Sequence, residues 1–183
     1  MGRLRGSIVA AILVSMFLAA VAVVGGPGRA AARGGLRADI FLTQQKIPKN
    51  LNERGLIGFA RSHASKILRE DTSNAKLEER FWKAEMVVAF SQPPGDLQYT
   101  VVFYDIHDGG RRFVSNMDSF ISNRSQRTFL QKIKLPRPEF KPNRRMELVV
   151  TVKRQEMGTR KFDLAGEEPK RTGVVNIGDD DAK

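Results

Sequence analysis

The sequence contains no cysteine. That excludes disulfides, thiol nucleophiles, Cys-ligated zinc, iron–sulfur clusters and a lipobox-type lipid anchor, which needs a cysteine to acylate. Histidine is almost as scarce, with two in 183 residues, and there is one tryptophan. No catalytic or cofactor motif stands above background, so the chain is not expected to be an enzyme and no cofactor is expected. It also lacks a helix-turn-helix, a zinc finger and an aromatic RNP pattern, so sequence-specific nucleic-acid reading is not expected.

What is present begins with residues 1–32. Arg3 and Arg5 precede an unbroken apolar run over residues 8–24. Gly25-Gly26-Pro27-Gly28 follows, then Ala30 and Ala32. A short basic head, an apolar run, a helix breaker and an Ala-x-Ala site make a secretory signal with cleavage expected before Arg33. The run is about 17 residues, longer than the usual h-region and at the lower limit of a membrane span. An uncleaved membrane anchor is therefore the alternative. Arg29, Arg33 and Arg37, beyond the run, oppose an anchor whose N-terminus lies inside. Both readings place residues 38 onward outside the inner membrane, periplasmic or secreted. Membrane contact is expected only if the N-terminal segment is retained.

The formal net charge is +11, from 31 basic and 20 acidic residues. Arg3, Arg5 and Arg29 leave with the signal, so the remainder carries about +8. A basic exported protein can meet anionic lipid, polysaccharide or nucleic acid, or the excess can simply keep it soluble. Without disulfides, its fold must be held by burial alone.

Residues 33–37 read as a flexible lead-in. Residues 38–165 read as one β-rich domain, and residues 166–183 as a polar, acidic tail ending in Asp179-Asp180-Asp181. Within the domain a first strand spans residues 38–47. A helix near residues 50–70 follows, with Asn50 as N-cap and Glu53 completing a capping box. Its apolar face is Leu56, Phe59, Ala60, His63 and Ile67. From Glu79 the period becomes two, with Trp82, Ala84, Met86, Val88 and Phe90 on one side. Residues 97–106 form a strand apolar on both faces, expected to be central and covered by the helix on one. Asp108-Gly109-Gly110 is a tight turn. Residues 115–127 are mostly polar, with Phe120 and Ile121 as a candidate short strand. Residues 128–135 and 146–152 are strands, and Met157-Gly158 turns into a last one at 160–164. Val174-Val175-Asn176-Ile177 is a candidate edge segment.

About seven short strands with regular turn signals predict an antiparallel β-sandwich with one N-terminal amphipathic helix. The pattern from Trp82 to Leu164 resembles an immunoglobulin-like or fibronectin-like sandwich, without a Cys–Trp–Cys framework. The stretches Phe103-Tyr104-Asp105-Ile106-His107-Asp108-Gly109-Gly110-Arg111-Arg112-Phe113 and Pro142-Asn143-Arg144-Arg145-Met146-Glu147-Leu148-Val149-Val150-Thr151-Val152 are similar to uncharacterised exported bacterial proteins. The resemblance implies location and fold, not activity.

Among candidate sites, Arg111-Arg112 follows a hairpin turn and Arg144-Arg145 follows a Pro-rich loop. At one end of a sandwich they would form an anion-binding patch, with Arg124 and Arg127 near in sequence. Solvated strand flanks are the plainer reading. Asp105, His107 and Asp108 carry metal-ligand chemistry, and in an extended strand Asp105 and His107 would face the same way. The plainer reading is a strand entering an Asp-Gly-Gly turn. His63 could act as a base or pH switch, and Trp82 could stack on a sugar; core roles are the alternatives. The expected function is an exported cell-envelope binding module with a protein partner. The alternative is an electrostatic binder of anionic lipid, polysaccharide or nucleic acid through an arginine-rich surface. An enzyme ranks third and would need a metal-dependent site at Asp105 and His107.

Overall fold

The structure, a computed structural model, describes residues 35–168 apart from residue 75. The expected leader, the 174–177 segment and the acidic end lie outside the described residues. Among the described residues, eight strands and one α-helix follow in the order β1 Ala38–Thr43, α1 Glu53–Ser62, β2 Ile67–Asp71, β3 Phe81–Phe90, β4 Gln98–Asp105, β5 Arg112–Phe120, β6 Thr128–Pro136, β7 Arg144–Val152 and β8 Gln155–Ala165. One 3₁₀ turn, Leu77–Glu79, precedes β3.

β3 lies between β1 and β6 in one sheet, and the other sheet runs β8-β7-β4-β5. β2 belongs to both. Its Ile67, Leu68 and Arg69 pair parallel with β8, whereas Glu70 and Asp71 pair antiparallel with β3. Every other ladder is antiparallel. Strands alternating between two facing sheets in this order form an immunoglobulin-like sandwich. The period-two residues fill its core. Trp82, Met86 and Val88 of β3 meet Val101 and Phe103 of β4, Leu148 and Val150 of β7 and Leu164 of β8. Phe90 and Phe129 of one sheet pack edge-on and tilted against Tyr99 of the other, at 5.7 and 5.4 Å between ring centroids.

The helix is shorter than expected. Asn52, not Asn50, is the N-cap, its side-chain oxygen accepting the Gly55 N–H at 2.8 Å. The helix ends at Ser62 rather than near residue 70 because the following backbone is engaged elsewhere. The Ser65 N–H donates to the Leu42 carbonyl, and the Lys66 carbonyl accepts from the Asp163 N–H. Ile67 thus leaves the helix, enters β2 and is 51% exposed. The helix also covers a different strand from the one expected. Ala60, Leu56 and Phe59 pack on Phe41 of β1 and Val87 of β3, not on β4. β4 instead alternates buried and half-buried positions, with one face in the core.

Two further corrections concern turns and edges. Residues 112–120 form one continuous strand, β5, where the sequence reads only as polar over 115–119 with a short strand at Phe120 and Ile121. The last hairpin turns at Lys153 and Arg154, both at positive φ (50° and 65°), not at Met157-Gly158. Gly158 lies within β8 for another reason: a Cβ there would sit 2.0 Å from the Ala38 carbonyl oxygen. Only glycine permits that approach of β1 to β8.

Candidate functional site

The ladders bring all four predicted arginines to one end of the sandwich, and Arg111, Arg112 and Arg144 are gathered there around carboxylates. Asp105, the last residue of β4, stands opposite Arg112 of β5 on one side and Met146 of β7 on the other. Its carboxylate is 6% exposed. One oxygen accepts the Arg112 guanidinium at 2.7 Å and lies 3.5 Å from Arg144. The other accepts the His107 backbone N–H at 2.9 Å. Arg144 also reaches Asp108 at 3.0 Å. On the outer face Arg111 bonds Glu147 and Glu156, each at 2.6 Å, and lies over the Tyr104 ring. Arg145 is exposed and has no carboxylate partner among the described residues.

The arginine pairs therefore do meet, but among the described residues carboxylates already hold Arg111, Arg112 and Arg144, and Arg145 alone of the four is not held by one. Burial by itself pushes the Asp105 carboxyl up. The His107 N–H, the Arg112 bond and the charges of Arg144 and Arg112 outweigh this and hold it below the ordinary carboxylate range. Asp105→Ala is expected to cost about 1–3 kcal/mol, because it leaves two guanidinium groups facing each other and removes the turn's acceptor. Urea unfolding checks this, and a loss under about 0.3 kcal/mol would show the cluster to be energetically idle.

The candidate metal ligands do not share a site. β4 ends at Asp105, so the extended geometry that would align Asp105 with His107 stops before His107, which lies in the turn. Asp108 faces Arg144. Among the described residues no group of three or more His, Asp or Glu side chains is placed to hold a metal ion. His63 caps the helix C-terminus. Its Nδ1 lies 2.9 Å from the Phe59 carbonyl, and its ring stacks on Phe59 at 4.1 Å. Trp82 is wholly buried, its indole N–H donating to the Ala165 carbonyl at 2.9 Å. Arg127 lies on the loop after β5, at the end of that strand away from Arg112, and pairs with Glu53. Arg124 is on the same loop.

Two features escaped the sequence reading. Lys46, Lys83, Lys132 and Lys134 line a shallow groove on the outer face of β3 and β6. Lys83 is held by Asp71, and Lys83 and Lys134 lie over the Phe81 ring, so this pair chiefly covers an apolar surface. The second feature is the outer edge of β5, which no strand among the described residues covers. Phe113 and Phe120 are 58% and 78% exposed. Val114 has no partner on β4, a bulge that places Phe113, Asn116, Asp118 and Phe120 opposite Tyr104, Val102, Thr100 and Gln98 on one face. Phe113 and Phe120 are seven residues apart, so strict alternation assigns them to opposite faces; only the bulge unites them.

No family model matches the chain, and no curated protein matches it. Among solved structures it is similar to an immunoglobulin-like protein from Pseudomonas aeruginosa, at 17% identity and a TM-score of 0.38. The match covers 73% of this chain and 98% of the other.

Proposed function

We propose that this chain is an exported, non-catalytic binding module that takes a protein partner along the outer edge of β5. The observation that carries the reading is a nine-residue edge strand bearing two exposed phenylalanines. The Ile121 N–H donates to the Leu97 carbonyl. Ladder alternation then turns the backbone N–H and C=O of Asn116, Asp118 and Phe120 away from β4 and toward the open edge. Edge strands are commonly guarded by lysine or proline. β6 has Lys132 and Lys134, whereas β5 has neither residue type. Such an edge accepts an added strand, backbone bonds supplying affinity and side chains selecting the partner.

Export is supported by the basic head, apolar run and Ala-x-Ala pattern of residues 1–32. The arginine-based alternative is the weaker reading because an incoming anion would have to displace Asp105, Asp108, Glu147 or Glu156. The test is crosslinking in the native cells. A tagged full-length chain isolated from the envelope fraction is expected to carry a crosslinked protein that the Phe120→Asp chain loses. N-terminal sequencing of the same material is expected to begin near Arg33. Equal crosslinking by both chains would remove the edge reading, and soluble full-length chain in the cytoplasm would remove export.

A further inference from the structure

We infer that the strand covering β5 is β5 of a second copy, paired antiparallel about a two-fold axis at Met117. This rests on the edge-binding reading above and names its partner. A two-fold contact places the same surface on both sides, so the edge must complement itself. In this register Met117 faces Met117, Ser115 faces Ser119 and Asn116 faces Asp118. The bulge at Val114 then removes one residue from the count, and Phe113 falls opposite Phe120 of the second copy. Each exposed aromatic meets an exposed aromatic, and each Asp118 carboxylate meets the amide of an asparagine. Both contacts occur twice by symmetry. The backbone groups of Asn116 and Asp118 point to the open edge, so they form hydrogen-bonded pairs across the axis.

The neighbouring registers are poorer. Moving the axis to Asn116 sets Asp118 against Phe113. Moving it to Asp118 sets the two carboxylates directly opposite, a like-charge pair that destabilises a ladder. A register one residue away in the pairing sum would oppose inward and outward side chains. The edge is thus complementary to itself in one arrangement.

A chain with no cysteine makes the register directly measurable. The Met117 backbone turns toward β4, so across the new edge the two Met117 residues form a non-hydrogen-bonded pair about 4.5 Å apart at Cα. That lies within disulfide range. The full chain as isolated from cells should sediment as a dimer at tens of micromolar, and Phe120→Asp should shift it to monomer. Under mild oxidation Met117→Cys should crosslink to itself. Asn116→Cys mixed with Asp118→Cys should crosslink at least fivefold more than Asn116→Cys alone. Should Phe120→Asp fail to fold, the cysteine pattern decides by itself.

A dimer in which Asn116→Cys crosslinks best to itself overturns the register. A monomeric wild-type chain overturns self-pairing. If that monomer still captures a different protein that Phe120→Asp loses, the edge-binding reading survives. If it does not, both fall.

Discussion

Glu70→Ala is expected to destabilise the fold by about 3–5 kcal/mol, the range for removing one partner of a buried ion pair. The Glu70 side chain is 3% exposed and that of Arg137 is 7% exposed. The two are joined by a two-pronged bond from Arg137, with Arg80 at 3.8 Å from the same carboxylate. Without Glu70, Arg137 keeps the Glu167 carbonyl but loses its counter-ion while buried over the Trp82 ring. The cluster joins β2 to the segments after β6 and β8 and before β3, so its loss loosens the place where β2 passes between the sheets. Burial alone pushes the Glu70 carboxyl up. The Arg137 bond, the Glu167 N–H and the charges of Arg137 and Arg80 together hold it below its ordinary value. A carboxylate depressed in the folded state contributes stability that is present above its unfolded pKa, about 4.3. That contribution is lost as pH falls through the lower folded value. Wild-type stability should therefore drop as pH falls below about 4.3. Glu70→Gln should start less stable and fall less steeply there. The slope should shrink rather than vanish, since Asp71 and Asp105 are also depressed, Asp71 chiefly by hydrogen bonds from Lys83 and Ser73. Urea unfolding from pH 3 to 7 measures both quantities. Equal slopes for the two chains would show that Glu70 is not a linked group.

Trp82→Ala is expected to cost about 3–5 kcal/mol, through lost burial and the cavity left behind. Trp82 is the largest wholly buried side chain and lies on the central strand of its sheet. Its indole N–H also satisfies the Ala165 carbonyl. Trp82→Phe should cost less, about 1–3 kcal/mol, because most of the apolar volume stays while the carbonyl loses its donor. Phe103→Ala and Leu148→Ala should each cost about 2–5 kcal/mol from the facing sheet. Denaturant midpoints with unchanged slopes would show that stability, and not the compactness of the unfolded chain, has changed. Losses below about 0.5 kcal/mol at Trp82, Phe103 and Leu148 would contradict the core assignment.

The long strands were legible because the core face of each is chiefly apolar, which writes a period of two into β3, β6 and β7 even where the other face of β3 and β7 is also partly buried. The Asp108-Gly109-Gly110 turn was legible because both glycines stand at positive φ, 83° and 81°. The helix start was nearly so, since Asn50 and Asn52 are both good caps and only the bond to Gly55 separates them. The end of the helix was not legible. Leu56, Phe59, Ala60 and His63 continue smoothly to Ile67, and nothing local reports that the intervening backbone bonds to β1 and β8. The arginine pairs announced a basic surface, but their partners Asp105, Glu147 and Glu156 come from three other positions in the chain. That, among the described residues, Arg111, Arg112 and Arg144 are neutralised while Arg145 is not is a property of the ladders alone.

The sequence by itself therefore determined the class of the fold and the residues of its core. Both are periodic signals, set by which side chains must leave water. Tertiary structure alone decided which strands stand at the edges, where β2 changes sheets, which carboxylates hold the arginines and which face Phe113 shares with Phe120. Those depend on pairings between residues tens of positions apart and on one bulged residue. A strand's own composition does not say whether its second edge is covered.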